Sequence, residues 1–198
     1  MNSSIRILSL NIGLKSDLAG LLTLISVHRL DLILLQEVRI SDEQINQQLG
    51  NHGFKGMVNI DEEDPLKPGT AIAWRETLPI EPVSAVVPCR LQHARLGSYS
   101  IFNIYAPSGS DKKVERGFFF AREVFQAFSI GSSPWILGGD FNCVLRPMDI
   151  ENGTGFNQKK CPQLTDLVAT KNVQDIFRHM HPMTREFTFF RIIVLHQD

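Results

Sequence analysis

Nowhere does this chain carry an apolar run long enough to cross a bilayer, which takes about 20 residues. Its first apolar stretch holds Arg6 and Asn11 and lacks a clear cleavage site, so it does not read as a signal peptide. Cysteine is scarce: Cys89, Cys143 and Cys161 are scattered and form no CxxC pair. That argues against a zinc site and a disulfide framework, and fits a reducing intracellular compartment, nuclear or cytoplasmic. An excess of positive charge is missing as well, with Lys+Arg 20 against Asp+Glu 21. Phosphate neutralisation supplies most of the affinity of a non-specific nucleic-acid binder, so this balance disfavours tight DNA binding and leaves any attraction to a locally basic cleft. Gly138-Gly139 lacks the lysine of a P-loop. There is no internal repeat and no low-complexity segment.

What remains is 198 residues, 43% apolar and 21% charged. That is enough for one globular domain with a sizeable core and too little to expect two, and a monomer is expected. Ile5–Asn11 and Leu32–Glu37 are apolar on both faces, as strands covered on both sides are. Between them Ser16 can cap a helix carrying Leu18, Leu21, Leu22 and Ile25 on one stripe. Ser41 to Leu49 fits a short helix closed by Gly50. Asp61–Gly69 reads as an acidic surface loop, and strands follow at Thr70–Trp74, Val83–Val87 and Tyr99–Tyr105. Val114, Phe118, Ala121, Phe125 and Phe128 recur at helical spacing, which predicts a helix over Lys113–Ser129 with that stripe in the core. A strand at Trp135–Asp140, a helix at Cys161–Thr170 and a β-prone run at Phe187–Leu195 complete the pattern. The mixture suggests two sheets packed face to face with helices outside.

Several apolar strands finish on a polar residue: Asn11 after ILSL, Glu37 after LILLQ, Tyr105 after SIFNI, and Asp140 and Asn142 around WILGG. If these strands run the same way, their ends gather on one rim, where ligands commonly bind in α/β sheets. Two carboxylates and two carboxamides there make an oxygen-rich pocket suited to Mg²⁺, with Mn²⁺ an alternative. Singly, each residue has an ordinary reading: Asn11 a turn residue, Glu37 a surface charge, Tyr105 a buried aromatic, Asp140-Phe141-Asn142 a turn.

Taken in order, SLN, LLQE, PGTAIAWR, NIYAPSG, WILGGDFN and the threonine of FTFF resemble the endonuclease/exonuclease/phosphatase superfamily, and within it the apurinic-type endonuclease domain of LINE-type retrotransposons. The resemblance runs from Ile5 to Phe190. It implies an α+β four-layered sandwich of two mixed β-sheets with outer helices, and metal-assisted cleavage of a phosphodiester. It implies that Asn11 and Glu37 help hold Mg²⁺, that Tyr105 orients the scissile phosphate and that Asp140 handles a proton. Asn142 and Thr188 would bind phosphate oxygens. DNA is the implied partner, contacted through local positives such as Arg90, Arg95, Lys112 and Lys113, and the chain is expected to belong to a larger retroelement polyprotein.

The chain departs from the family pattern after FTFF. The family continues with serine-arginine-isoleucine-aspartate and ends on serine-aspartate-histidine, whereas here the sequence runs Phe190-Arg191-Ile192-Ile193-Val194-Leu195-His196-Gln197-Asp198. The expectation is therefore a single domain over 1–198 lacking its final strands, with turnover impaired by the missing histidine and its aspartate. His179 and His181, flanking Met180, read as a surface loop, since two such residues alone make an incomplete metal site. Three functions stay open: a DNA-nicking endonuclease, a phosphatase acting on a phospholipid or nucleotide, and a pseudoenzyme used as a nucleic-acid or protein binding module.

Overall fold

Ile5, Ile7 and Leu8, like Leu32 to Leu35, have almost no surface exposed, as strands covered on both faces must. In a computed structural model, residues 4–64, 66–81, 83–131, 134–150 and 155–185 are described, together with the backbone of 190–196. The chain packs as two compact units. One comprises Met1–Tyr105, Gly131–Asp140 and Phe189–Asp198, the other Ala106–Ile130 and Phe141–Thr188.

The first unit holds both sheets. Its elements are β1 (Ser4–Asn11), α1 (Ala19–His28), β2 (Leu32–Val38), α2 (Asp42–Gly50), β3 (Phe54–Asn59), β4 (Gly69–Arg75), β5 (Ser84–Val87), β6 (Leu91–Leu96), β7 (Tyr99–Tyr105), β8 (Trp135–Asp140) and β9 (Phe190–His196). One sheet has the order β3-β4-β2-β1-β9 and the other β5-β6-β7-β8. Only β1 with β2 and β7 with β8 pair in parallel; the remaining pairs are antiparallel. The architecture is thus the α+β sandwich of two mixed sheets that the sequence pattern implied. Leu8, Ile33 and Leu35 face the helix side with Leu21 and Ile25 of α1 and Ile45 and Leu49 of α2. Ile7, Leu32 and Leu34 face the other way, against Ala94, Leu96 and Ile101 of the second sheet.

Helix α2 begins as predicted on Ser41, which forms a full capping box with Gln44. It also covers the edge of the first sheet: the Asn46 amide exchanges two hydrogen bonds with the backbone of Gly56, and Asp42 accepts from Val58 N–H. An edge strand so occupied has fewer free groups to pair with another chain. Ser16 does not cap α1. Leu18 takes that position, its N–H satisfied by Gln48 and the next one by Asp17. Gly50 lies inside α2 and Asn51 caps it. Strands β3 and β6 were invisible to the apolar pattern because Lys55 and Gly56 interrupt one, and the other buries Gln92 and His93.

Between the sheets lies a layer of carboxamides. Gln36 Nε2 donates to Asn103 Oδ1 at 2.8 Å and to Leu34 O at 2.9 Å. Asn103 Nδ2 donates across the interface to Leu35 O and Ala71 O at 3.0 and 2.9 Å. Gln92 donates to Met57 O, and Asn59 to Val87 O while accepting from Cys89 N–H. Strand carbonyls engaged in ladder bonds keep a second lone pair, and these amides use it. Two glycines of β8 stand where a side chain would not fit, Gly138 against the opposite sheet and Gly139 against its own neighbour strand β7. A Cβ on Gly138 would lie 2.5 Å from Leu34 Cδ1, and one on Gly139, whose φ is +144°, 2.0 Å from Ile104 O.

The second unit is helical: α3 (Lys113–Phe118), a π-helical segment Phe119–Val124, α4 (Phe125–Ala127), a 3₁₀ turn Pro147–Asp149, α5 (Phe156–Lys159), α6 (Pro162–Thr170) and α7 (Ile176–Met180). The predicted core stripe of the long helix is instead its outer face, with Val114 71%, Phe118 57% and Phe125 38% exposed. Of that stripe Phe128 is buried, together with Phe119, Phe120, Val124 and Ala127, which the stripe left out. Apolar residues lie on both sides of this helix, and the side carrying Phe119, Phe120 and Val124 is the one that meets the core. Arg122 covers the Phe118 ring, and Lys171 lies 4.0 Å from the centre of the Phe125 ring. Inside, Arg178 pairs with Asp149 at 2.6 Å with only 2% of its side chain exposed.

Replacing Asn103 by Leu removes the partner of Gln36 and the donors to two buried carbonyls. Urea unfolding should show a loss of about 1–3 kcal/mol with an unchanged m-value. Gly139→Ala, which meets both a backbone oxygen and a left-handed φ, should cost about 3 kcal/mol or more by the same measurement.

Candidate active site

The parallel pairs bring four strand ends to one rim of the first unit. β1 and β2 run together up to Asn11 opposite Gln36, and β7 and β8 up to Tyr105 opposite Asp140. Glu37 reaches this rim through an irregularity. Strand alternation sends Leu32, Leu34 and Gln36 between the sheets and Ile33 and Leu35 toward the helices, so a regular Glu37 would point at the helices too. Its φ of +57° and the register shift between Gln36 and Val38 break the alternation. Val38 then takes the helix-side position in the core, and Glu37 turns to the rim. A bulge beside a site commonly re-aims a side chain in this way.

Asn11 joins the rim together. Its Nδ2 donates to Glu37 Oε1 and to Asp140 Oδ2, each at 2.9 Å. Its Oδ1 accepts from Gly13 N–H at 2.9 Å, which orients the amide with both of its hydrogens toward the carboxylates. The Tyr105 hydroxyl donates to Glu37 Oε1 at 3.4 Å. The Tyr105 ring is almost fully buried and lies 4.7 Å from the Arg90 guanidinium, while Tyr105 N–H donates to Arg90 O. Arg90 is thus the one sequence-predicted phosphate contact beside this cluster. Arg95 pairs with Glu81, Lys112 with Glu115, and Lys113 donates to Asn157 O.

Asn142 belongs to the second unit. It has a φ of +49°, and its Nδ2 donates to Ala106 O at 2.8 Å. Thr188 lies outside the described residues. His179 and His181 are exposed as expected but do not lie in a loop: His179, bonded to Gln174, is in α7, and His181, against the Phe177 ring, is its C-cap. Sequence reasoning missed Asn103, the buried amide two residues before Tyr105. Its signal was a carboxamide inside the otherwise apolar SIFNI.

Chemically the rim offers two carboxylates, a phenol hydroxyl and an amide that donates to both carboxylates. Among the described residues no three His, Cys, Asp or Glu side chains gather into a closed metal cage. A hard divalent cation that keeps several waters needs only one or two carboxylates, so the donor set fits such an ion and suits a thiolate-seeking metal poorly. Glu37 and Asp140 offer carboxylate oxygens to a cation, Asn11 Nδ2 holds them in place, and Asn11 Oδ1 keeps a second lone pair beside its bond from Gly13 N–H.

Comparison with known proteins bears on the family and the fold. A 149 kDa uncharacterized protein of transposon TX1 from Xenopus laevis is 27% identical over 148 residues, 72% of this chain. The chain spans 11% of the length of that relative. Among solved structures, an AP endonuclease from Archaeoglobus fulgidus superposes with a TM-score of 0.76 at 17% identity, covering 93% of this chain and 77% of its own. The AP endonuclease LMAP from Leishmania major gives a TM-score of 0.65 at 15% identity, with 90% and 70% covered. A humanized D. rerio TDP2 gives 0.61 at 16% identity, with 96% and 83% covered. At these identities the superpositions speak for the fold. The sequence pattern of the endonuclease/exonuclease/phosphatase family matches residues 8–189, nearly the whole chain, and the chain belongs to that family.

Proposed function

We propose that this chain is a Mg²⁺-dependent phosphodiesterase domain that nicks DNA and derives from a retroelement. The observation carrying this reading is the rim cluster, in which one amide holds Glu37 and Asp140 together beside a buried tyrosine. Such a set serves an anionic substrate only with a cation present, since two carboxylates alone would repel a phosphate. Glu37 and Asp140 would hold the ion, which supplies charge neutralisation at the phosphorus and the leaving oxygen. Asn11 keeps the carboxylates at a fixed spacing. The Tyr105 hydroxyl orients a phosphate oxygen, with Arg90 behind its ring. Asp140 takes the proton of the attacking water or returns one to the leaving oxygen. Asn142 and Thr188 serve phosphate oxygens.

The transposon relative supports a mobile-element origin, DNA as substrate and a place within a larger polyprotein. The AP endonuclease and TDP2 superpositions are compatible with phosphodiester chemistry. A phosphatase acting on a phospholipid or nucleotide shares the same cluster and is separated from the nuclease by substrate choice alone.

Asp140 carries the proton transfer in this reading, and Asp140→Asn should lower turnover by a factor of about 10²–10⁴. The alternative is a module that binds nucleic acid without turnover.

Nicking of supercoiled plasmid separates these readings. Cleavage should require Mg²⁺ or Mn²⁺, stop on adding a chelator, and fall about 100-fold or more in Glu37→Gln, whose fold is retained by circular dichroism. A folded chain that shifts plasmid on a gel but never nicks it with either metal would establish the binding module instead.

Affinity for duplex DNA should be weak and fall steeply between 50 and 200 mM salt, roughly in proportion to the number of phosphates neutralised. Arg90→Ala should flatten that slope by about one unit. A flat salt titration would rule out a phosphate-contacting groove.

A further inference from the structure

Two of the three cysteines meet inside the second unit. A β-bridge between Val144 and Lys160, with Val144 N–H donating to Lys159 O at 3.1 Å, ties together the segments that carry Cys143 and Cys161. The Cys143 side chain acts on Cys161, drawing its pKa down. Cys161 is 4% exposed and stands at the N-cap of α6, while Cys143 is partly exposed. Cys161 Sγ also lies 3.6 Å from Gln163 Oε1.

The surroundings favour a thiolate at Cys161. The hydrogen bond from Cys143 lowers its pKa most, with smaller help from the first backbone N–H groups of α6 and the charge of Arg116, all against the opposing effect of burial. Arg116 is 3% exposed, and its Nε finds no hydrogen-bond partner, although its Nη1 donates to Pro107 O and Gly109 O. A buried guanidinium with an unused donor beside a thiol at a helix N-terminus is the environment of a reactive cysteine. Cys89 is the opposite case. It is fully buried in the first unit, and burial pushes its thiol up, toward inertness.

We propose that Cys143 and Cys161 form a reversible dithiol modification site, oxidised by hydrogen peroxide to an intrachain disulfide while Cys89 stays reduced. In the first step the Cys161 thiolate attacks one peroxide oxygen. An S–O bond forms, the O–O bond breaks, and the departing hydroxide takes a proton as water. In the second, Cys143 loses its proton and attacks the Cys161 sulfur. The S–S bond forms, the S–O bond breaks, and a second water leaves. Two thiols are oxidised and one peroxide is reduced to two waters. The accessible Cys143 acts as the resolving thiol, and a dithiol reductant reverses the reaction. Asn142 is the chain neighbour of Cys143, so the disulfide pins the segment that carries its amide.

The test uses the reduced full chain, treated with stoichiometric peroxide and digested under alkylating conditions for peptide mass spectrometry. Expected is a peptide pair linked through Cys143 and Cys161, two hydrogens lighter than the reduced peptides and restored by dithiothreitol, with Cys89 alkylated throughout. In Cys143→Ser, dimedone should trap a sulfenic acid at Cys161. In Cys161→Ser, loss of the Cys143 thiol should slow about tenfold or more. Arg116→Lys keeps the charge with a different donor geometry and should form the same link at a reduced rate. Oxidation spread evenly over the three cysteines, dimers linked between chains, or no Cys143–Cys161 peptide from the native chain would overturn the assignment. Every readout is covalent, so the outcome stands whether or not the chain cleaves phosphodiesters.

Discussion

Two apolar sheets can slide across one another with little change in buried area, because the hydrophobic effect is not directional. The carboxamides between these sheets remove that freedom. Asn103 reaches two main-chain carbonyls of the opposite sheet and the side chain of Gln36, and each bond is satisfied in one register only. The rim inherits this register. Gln36 directly precedes Glu37, Asn103 stands two residues before Tyr105, and Ser9, beside Gln36, two residues before Asn11. A fixed offset behind the rim becomes a fixed spacing of the groups on it. Hydrogen bonds inside a dry interface are costly to leave unmade, so the same layer that holds the sheets also sets the distance between catalytic candidates.

Close approach supplies the other half of this order. Gly138 lets Leu34 of the opposite sheet fill the space a side chain would occupy, and Gly139 takes a φ of +144° at which a Cβ would strike Ile104 O of the neighbouring strand. Asp140 follows at once, so the strand that carries it has little room to shift. The paired glycines that resembled a failed phosphate loop are there for steric reasons. They carry Asp140 to the rim on a strand pressed against Leu34 of the opposite sheet and turned by a positive φ.

Much of this was legible in the sequence, and the failures have physical causes. Doubly apolar strands such as ILSL and LILL announce themselves, and Trp135–Asp140 and Tyr99–Tyr105 were bounded correctly for that reason. Convergence of Asn11, Glu37, Tyr105 and Asp140 followed from one rule about where polar residues terminate buried strands. Strands β3 and β6 hid because their buried positions are partly polar, which inverts the pattern used to find strands. The Phe118 stripe was assigned to the wrong face because phenylalanines lie on both sides of that helix and an apolar count alone does not choose between them. The role of Asn11 as a clamp could not be read either. A carboxamide can turn oxygen or nitrogen to its neighbours, and the choice is made by the carboxylates on one side and the Gly13 N–H on the other.

Position 37 carries a tension of its own. A glutamate at a φ of +57° is held in a conformation that glycine adopts freely and other L-residues adopt at a cost of about 1–2 kcal/mol. The same residue brings a second carboxylate beside Asp140, joined to it only through an amide that carries no net charge. By both counts the fold alone would do better with a glycine there. Stability and chemistry therefore pull in opposite directions at a single residue, and for a descendant released from catalysis the bulge is the place where losing the site would firm up the protein.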